Sequence, residues 1–157
     1  MKRDFFDYMD ELMTENEDIY LILVGLGYPR VDEFLKKYPE RVINTEASEQ
    51  TACDIAVGLA YAGKQPWVYT ITPFYWRAAE TLRTYINHEK LHITLVGVGV
   101  DNDYAHDGFS HDGTDIKELF GVLKNFSVYQ PKSIDELKKV MNQATNSYMP
   151  SFINVRR

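Results

Sequence analysis

The 157-residue sequence holds one cysteine, Cys53. A lone thiol excludes an intrachain disulfide and a cysteine-built zinc site, and it fits a reducing compartment. Long apolar runs are missing too. The longest, near Ile19–Val24, falls far short of the ~20 residues that cross a bilayer. The opening MKRDFFDYMDEL is too acidic for a signal peptide, so a cytoplasmic protein is expected. There is no surplus of positive charge: 17 Lys and Arg stand against 23 Asp and Glu, for a formal net charge of -6. Residues 1–50 carry six basic and twelve acidic side chains, and residues 51–157 carry eleven of each. Neither part makes the basic stripe that nucleic-acid binding needs. No internal repeat, low-complexity run or linker-like stretch interrupts the chain. Disorder, collagen and coiled coil are excluded, and one domain over residues 1–157 is expected, long enough to bury a core without staples.

What is present is average for a folded domain, with 45% apolar and 25% charged residues. Two kinds of segment alternate. Apolar, β-branched runs at Ile19–Val24, Arg41–Asn44, Trp67–Thr72, His92–Val98, Phe126–Tyr129 and Phe152–Val155 have the length of buried strands. Between them, helical spacing joins Phe5, Met9, Leu12 and Met13, and again Val31, Phe34 and Leu35. Ala52, Ile55, Ala56, Leu59 and Ala60 form the clearest stripe, with Gly63 placed to end it. Pro73 opens a predicted helix holding Ala78, Leu82 and Tyr85. Ser133 caps one holding Ile134, Leu137, Met141 and Ala144. Continuously apolar strands imply a sheet covered on both faces, and strand–helix alternation implies parallel pairing. The expected fold is a three-layer α/β domain, a mostly parallel sheet flanked by helices. Such sheets bind ligands beyond the carboxyl ends of their strands, which directs attention to the segments after Val24, Asn44, Thr72 and Val98.

After Asn44, Glu46 and Glu49 stand at a helix entrance, where acidic side chains complement the helix dipole whatever else they do. After Thr72 come Phe74, Tyr75 and Trp76. Three adjacent aromatics cannot share one helix face, so at least one points away from the local core and can serve a planar ring. After Val98 a long polar loop, residues 99–115, gathers Asp101, Asp103, His106, Asp107, His111, Asp112 and Asp115. Loops this long are more often functional than mere connectors. The Asp/His mixture matches no metal-ligand spacing, and no metal held by this chain is expected.

In this order the segments resemble the pyrimidine-binding domain of thiamine-diphosphate enzymes, on the transketolase and deoxyxylulose-phosphate-synthase branch. Four stretches carry the resemblance: Tyr38-Pro-Glu-Arg-Val-Ile-Asn44; Ala47-Ser-Glu-Gln50 with Ala52 and Ile55-Ala-Val-Gly-Leu-Ala60; Thr72-Pro-Phe-Tyr-Trp-Arg77; and Asp107-Gly-Phe-Ser-His111 followed by Gly113. The resemblance covers roughly Phe5 to Arg156. It implies that Glu49 hydrogen-bonds the cofactor's aminopyrimidine and so assists removal of the C2 proton, a role that suits a partly buried carboxyl. It implies that Phe74 packs on the pyrimidine ring, that His111 meets substrate oxygens and acts in catalysis, and that Asp107 lies near sugar hydroxyls. Arg77 matches an arginine of one branch, as a substrate contact or a structural ion pair. Glu46 departs from the family pattern, which has a small or apolar residue there, and His106 has no counterpart.

Members of this family hold the diphosphate and Mg²⁺ on a separate domain carrying Gly-Asp-Gly, and that motif is not in this sequence. The resemblance therefore implies one half-site of a split enzyme. A separate chain would supply the diphosphate–Mg²⁺ half, within a homodimer or heterotetramer acting on a ketose or 2-oxoacid. The Asp-Gly-x-Ser-His loop favours ketol transfer between sugar-like substrates. A two-chain 2-oxoacid decarboxylase and a non-catalytic regulatory module stay open as alternatives. Met1 weighs against an excised piece of a longer enzyme.

Overall fold

The β-branched runs pair into one sheet, and the amphipathic segments cover it on both sides. A computed structural model describes residues 1–25 and 29–157. Its order is α1 (Lys2–Glu15), β1 (Ile19–Leu23), α2 (Pro29–Lys37), β2 (Val42–Asn44), α3 (Glu49–Tyr61), β3 (Gln65–Ile71), a helical segment over residues 72–87, β4 (Thr94–Val98), α5 (Ile116–Val122), β5 (Ser127–Tyr129), α6 (Ile134–Thr145) and β6 (Ser151–Val155). The strands align as β2-β1-β3-β4-β6-β5, and every pair is parallel. All carboxyl ends therefore lie along one edge.

Crossover handedness decides which helix covers which face. Connections running from β2 towards β5 pass over one side, and those running back pass over the other. Accordingly α1, α2 and α6 bury Phe5, Phe6, Met9, Phe34, Leu137 and Met141 against Trp67, Tyr69 and Ile153. On the opposite face α3, segment 72–87 and α5 bury Ala52, Ala56, Tyr75, Leu82 and Phe120 against Val68, Leu95 and Phe152. The three-layer α/β fold is as expected from the sequence, and the strand and helix limits shift by one or two residues.

Two helix ends follow the sequence closely. Gly63, at φ +80°, ends α3. Its amide donates to Ala60 O and that of Lys64 to Leu59 O, the paired bonds of a glycine-terminated helix. Ser133 Oγ accepts from Glu136 N at 3.2 Å. α5 is not among the helical patterns of the sequence, and one predicted helix differs. The helix predicted from Pro73 is a 3₁₀ segment over Thr72–Ala78, a short α stretch at Ala79–Thr81 and a π segment at Leu82–Asn87. The reason is the aromatic run. At three residues per turn, side chains three apart eclipse, so Thr72, Tyr75 and Ala78 all point into the core. Phe74 and Arg77 share a second line, and Trp76 is left on a third, 43% exposed. Among the described residues no helix is long and apolar enough to cross a membrane.

Candidate functional site

Four of the strand ends contribute to the edge where a ligand is expected. Part of the segment after Val24 lies outside the described residues, but Gly25 can be placed. Its amide and that of Glu46 both donate to Asn44 Oδ1, at 3.2 and 3.0 Å. This clamps the chain leaving β1 against the chain leaving β2. A Cβ on Gly25 would fall 3.0 Å from the Glu46 carbonyl carbon, so the two backbones meet with no room for a side chain. Glu46 itself takes φ +52°, a left-handed conformation that favours glycine. Its exposed carboxylate accepts from Asn44 Nδ2 at 3.3 Å.

Three residues on, Glu49 is the first residue of α3 and is only 3% exposed. Of the two carboxylates at the helix entrance, Glu49 alone lies in the first turn, where the dipole favours it. It is not left uncompensated: Arg77 Nη1 donates to both of its oxygens at 2.9 Å. The guanidinium carbon also sits 4.2 Å from the Phe74 ring centre, within cation–π range. Phe74 in turn meets His111 at 5.0 Å between ring centres, with the planes 69° apart. Glu49, Arg77, Phe74 and His111 thus form one continuous row across α3, the 3₁₀ segment and the loop after β4.

His111 comes from a short 3₁₀ turn, Phe109–His111, and its Nδ1 lies 3.0 Å from Ser110 Oγ. Asp107 lies in the same loop, but its carboxylate is 3.4 Å from His106 Nε2, at an exposed position away from this row's contacts. His106 also approaches Arg157 Nη1 at 3.1 Å. The loop is further pinned by Arg156, which donates to Asp103 at 2.7 Å, and by Trp76 Nε1, which donates to Asp115 at 3.1 Å. The three aromatics separate as the sequence required. Tyr75 is fully buried and its hydroxyl reaches Val68 O and Val96 O at 2.8 and 3.1 Å, Phe74 is half-buried, and Trp76 is exposed. Among the described residues no group of three or more His, Cys, Asp or Glu could hold a metal ion. Cys53 is buried, and burial, with Asp54 and Glu49 nearby, pushes its thiol up, which makes it an inert core side chain.

A buried carboxylate at a helix entrance, an aromatic ring and a loop histidine thus stand together at the carboxyl edge of a parallel sheet. The sequence profile described as the pyrimidine-binding domain of transketolase matches residues 4–157. The chain belongs to the transketolase pyrimidine-binding domain family. Among curated relatives, 1-deoxy-D-xylulose-5-phosphate synthase of Fusobacterium nucleatum is 29% identical over 140 residues, covering 87% of this chain and 23% of that protein. A putative transketolase C-terminal section of Methanocaldococcus jannaschii is 24% identical over 159 residues, covering 100% of this chain and 50% of that one. Among solved structures, a split-gene transketolase in an inactive β4 tetramer superposes with TM-score 0.85 at 26% identity, over 99% of this chain and 51% of that chain. A transketolase of Campylobacter jejuni superposes with TM-score 0.87 at 18% identity, over 97% of this chain and 24% of that chain, and shares the fold. This pyrimidine-binding domain spans about a quarter of the synthase and about half of the C-terminal section.

Of the residues singled out by motif, the structure brings Glu49, Arg77, Phe74 and His111 together and pairs Asp107 with His106. Motifs missed Asn44, which joins the exits of β1 and β2, and Thr72 and Asn154, whose side chains meet at 2.9 Å. Each carried a signal. Asn44 is a side-chain acceptor at a strand end. Thr72 and Asn154 are polar residues inside apolar runs, where a buried polar group needs a partner.

Proposed function

We propose that this chain is the aminopyrimidine half-site of a split, thiamine-diphosphate-dependent transketolase-like enzyme that carries out ketol transfer with a partner chain. The observation that carries the reading is Glu49: a buried carboxylate at the mouth of a parallel sheet, in one row with Phe74 and His111. The donor set fits half of the cofactor. A carboxylate beside an aromatic ring suits an aminopyrimidine. Among the described residues no group of three or more His, Cys, Asp or Glu could hold a metal ion, and the sequence has no Gly-Asp-Gly; we therefore assign Mg²⁺ and the diphosphate to a partner chain. When bound, thiamine diphosphate supplies a nucleophilic carbon for cleavage and formation of bonds next to a carbonyl.

This chain's residues hold and orient. Glu49 exchanges a proton with the aminopyrimidine nitrogen. Phe74 supplies the flat apolar surface. Arg77, half-exposed, neutralises Glu49 by donating to both of its oxygens, with its guanidinium over the Phe74 ring. His111 meets the substrate, handling oxygen atoms that gain charge, and Asp107, four residues before it in the same loop, is assigned to the sugar hydroxyls from the motif alone.

A second reading, a non-catalytic binding module, draws on Arg77: it occupies both oxygens of Glu49 and lies over Phe74. One experiment separates the two. The chain is mixed with a separate chain that carries Gly-Asp-Gly, sought first in the neighbouring reading frame. Ketol transfer between a ketose and an aldehyde is then assayed with thiamine diphosphate and Mg²⁺. Activity in the mixture and in neither chain alone supports the split enzyme. A stable complex without turnover, and with no uptake of the cofactor, favours the binding module.

A further inference from the structure

Asn154 stands in β6 among Phe152, Ile153 and Val155, and it is 7% exposed. A buried amide needs partners. Its side-chain nitrogen lies 2.9 Å from Thr72 Oγ1 and 3.2 Å from the carbonyl oxygens of both Gly97 and Gly99. Carbonyl oxygens only accept, so the hydrogen-bond network assigns the NH₂ group to that side. These partners belong to three different chain passages: the exit from β3, the end of β4 and the start of the loop that carries His111.

The surroundings are shaped around this contact. A Cβ on Gly97 would fall 2.6 Å from Thr72 Oγ1 and 3.0 Å from the Phe152 ring. A Cβ on Gly113 would fall 3.3 Å from Thr72 Cγ2 and 3.5 Å from Gly99 O. Both glycines leave space for Thr72 to touch the loop at its start and near its end. The Gly113 amide donates to Asp101 O at 2.8 Å, closing the loop on itself two residues after His111. On the other side, Thr72 begins the 3₁₀ segment that carries Phe74. Both halves of the Phe74–His111 contact therefore hang from groups that Asn154 ties together.

We propose that Asn154 is a positioning residue, whose amide joins Thr72 to Gly97 and Gly99 and so sets the aromatic platform of Phe74 against His111. Its importance for turnover rests on the reading of that pair as a cofactor and substrate site. The geometric claim does not, and it is tested on this chain alone. An apolar residue of similar volume would fill the space but bring no donor, whereas the two N–H bonds of the amide are shared among the two carbonyls and the hydroxyl oxygen.

The experiment is NMR of the full chain without cofactor or partner. The His111 ring protons lie against Phe74 and feel its ring current. His92, whose Nε2 lies 2.9 Å from Ala144 O, reports on a site just before β4, at the opposite edge of the sheet. Asn154→Asp keeps the shape but turns an oxygen towards two carbonyls. Thr72→Val keeps the shape and removes the hydroxyl. Both are expected to move the His111 ring-proton shifts towards those of exposed His88 while His92 stays in place. Ser151→Ala, a buried change in the same strand, is expected to move neither. Unchanged His111 shifts in both folded variants overturn the proposal. So does an equal displacement in Ser151→Ala, which would mark general loosening. If Asn154→Asp does not fold, Thr72→Val decides in the same way. The split-enzyme reading can fail on partner mixing while this result stands, and the reverse holds as well.

Discussion

Glu46 and Glu49 lie three residues apart and cost the protein in different ways. Glu46 is exposed and holds a left-handed backbone, φ +52°, which for a residue with a Cβ costs roughly 1 kcal/mol or more. Asn44 and the tight approach of Gly25 hold it there. Glu46→Gly is expected to leave stability unchanged or raise it by up to ~1 kcal/mol, since relief of strain competes with the freedom glycine gains on unfolding. Chemical denaturation checks this, and a loss above about 1 kcal/mol would show that the Glu46 side chain itself stabilises the loop. Glu49 is buried and ion-paired. With the partner chain present, Glu49→Gln should lower turnover by about 10²–10⁴-fold, the usual loss when a proton-transferring group is removed, with the fold retained. His111→Ala should instead weaken substrate use while hydrogen exchange at the cofactor's C2 stays fast. If Glu46→Gln stops that exchange and Glu49→Gln does not, the assigned roles are three residues out of register.

At the scale of elements, the 3₁₀ segment is the clearest case of helix type serving a site. Its three-residue repeat eclipses Arg77 with Phe74 and sends Tyr75 inward, where an α-helix would leave side chains three apart about 60° out of line. The joint between α1 and α2 on the far face depends on charge. Burial alone would push Asp10 up. Hydrogen bonds from Lys37 and Tyr38, with the cations of Lys37 and Arg30 nearby, outweigh it and hold the carboxyl below its ordinary range. A carboxyl depressed in the folded state adds stability above its unfolded value, about 3.9. That contribution is lost as pH falls through the folded value. Asp10→Asn should therefore be less stable than the natural chain at neutral pH and match it near pH ~2, where both side chains are uncharged. Urea unfolding at the two pH values measures the gap; a difference that persists unchanged in acid would place the effect in packing rather than charge.

For the whole molecule, the expectation concerns what one half-site can do alone. On the split-enzyme proposal, with no Gly-Asp-Gly in the sequence, the isolated chain should bind thiamine diphosphate and Mg²⁺ weakly. Calorimetric titration giving micromolar affinity, about -8 kcal/mol, would contradict the division of the site between two chains. The helices on the site's side of the sheet also suit association. Gly58, exposed on the outer side of α3 with open space where a Cβ would stand, lets another helix approach closely, and Tyr61 and Tyr85 are 62% and 43% exposed. A closed symmetric dimer through α3 and segment 79–87 is the expected form. Light scattering that gives a monomer at high concentration would leave that surface to the partner chain alone.

Strands, the helices other than α5, and their caps were legible in the sequence because they depend on neighbours. Period, Gly63 after α3 and Ser133 before α6 each act within a few residues. The order of the candidate segments was legible for the same reason, since parallel strands put all their exits on one edge. The tertiary structure alone decided which side chains meet. Glu49 and Arg77 are 28 residues apart, and Thr72 and Asn154 are 82 apart. Their contacts exist because α3 crosses β1 and because β6 inserts between β4 and β5. The helix type over residues 72–78 and the left-handed turn at Glu46 were settled at the same level. In both, packing of aromatic side chains or of two backbones outweighed a local preference of about a kilocalorie per mole.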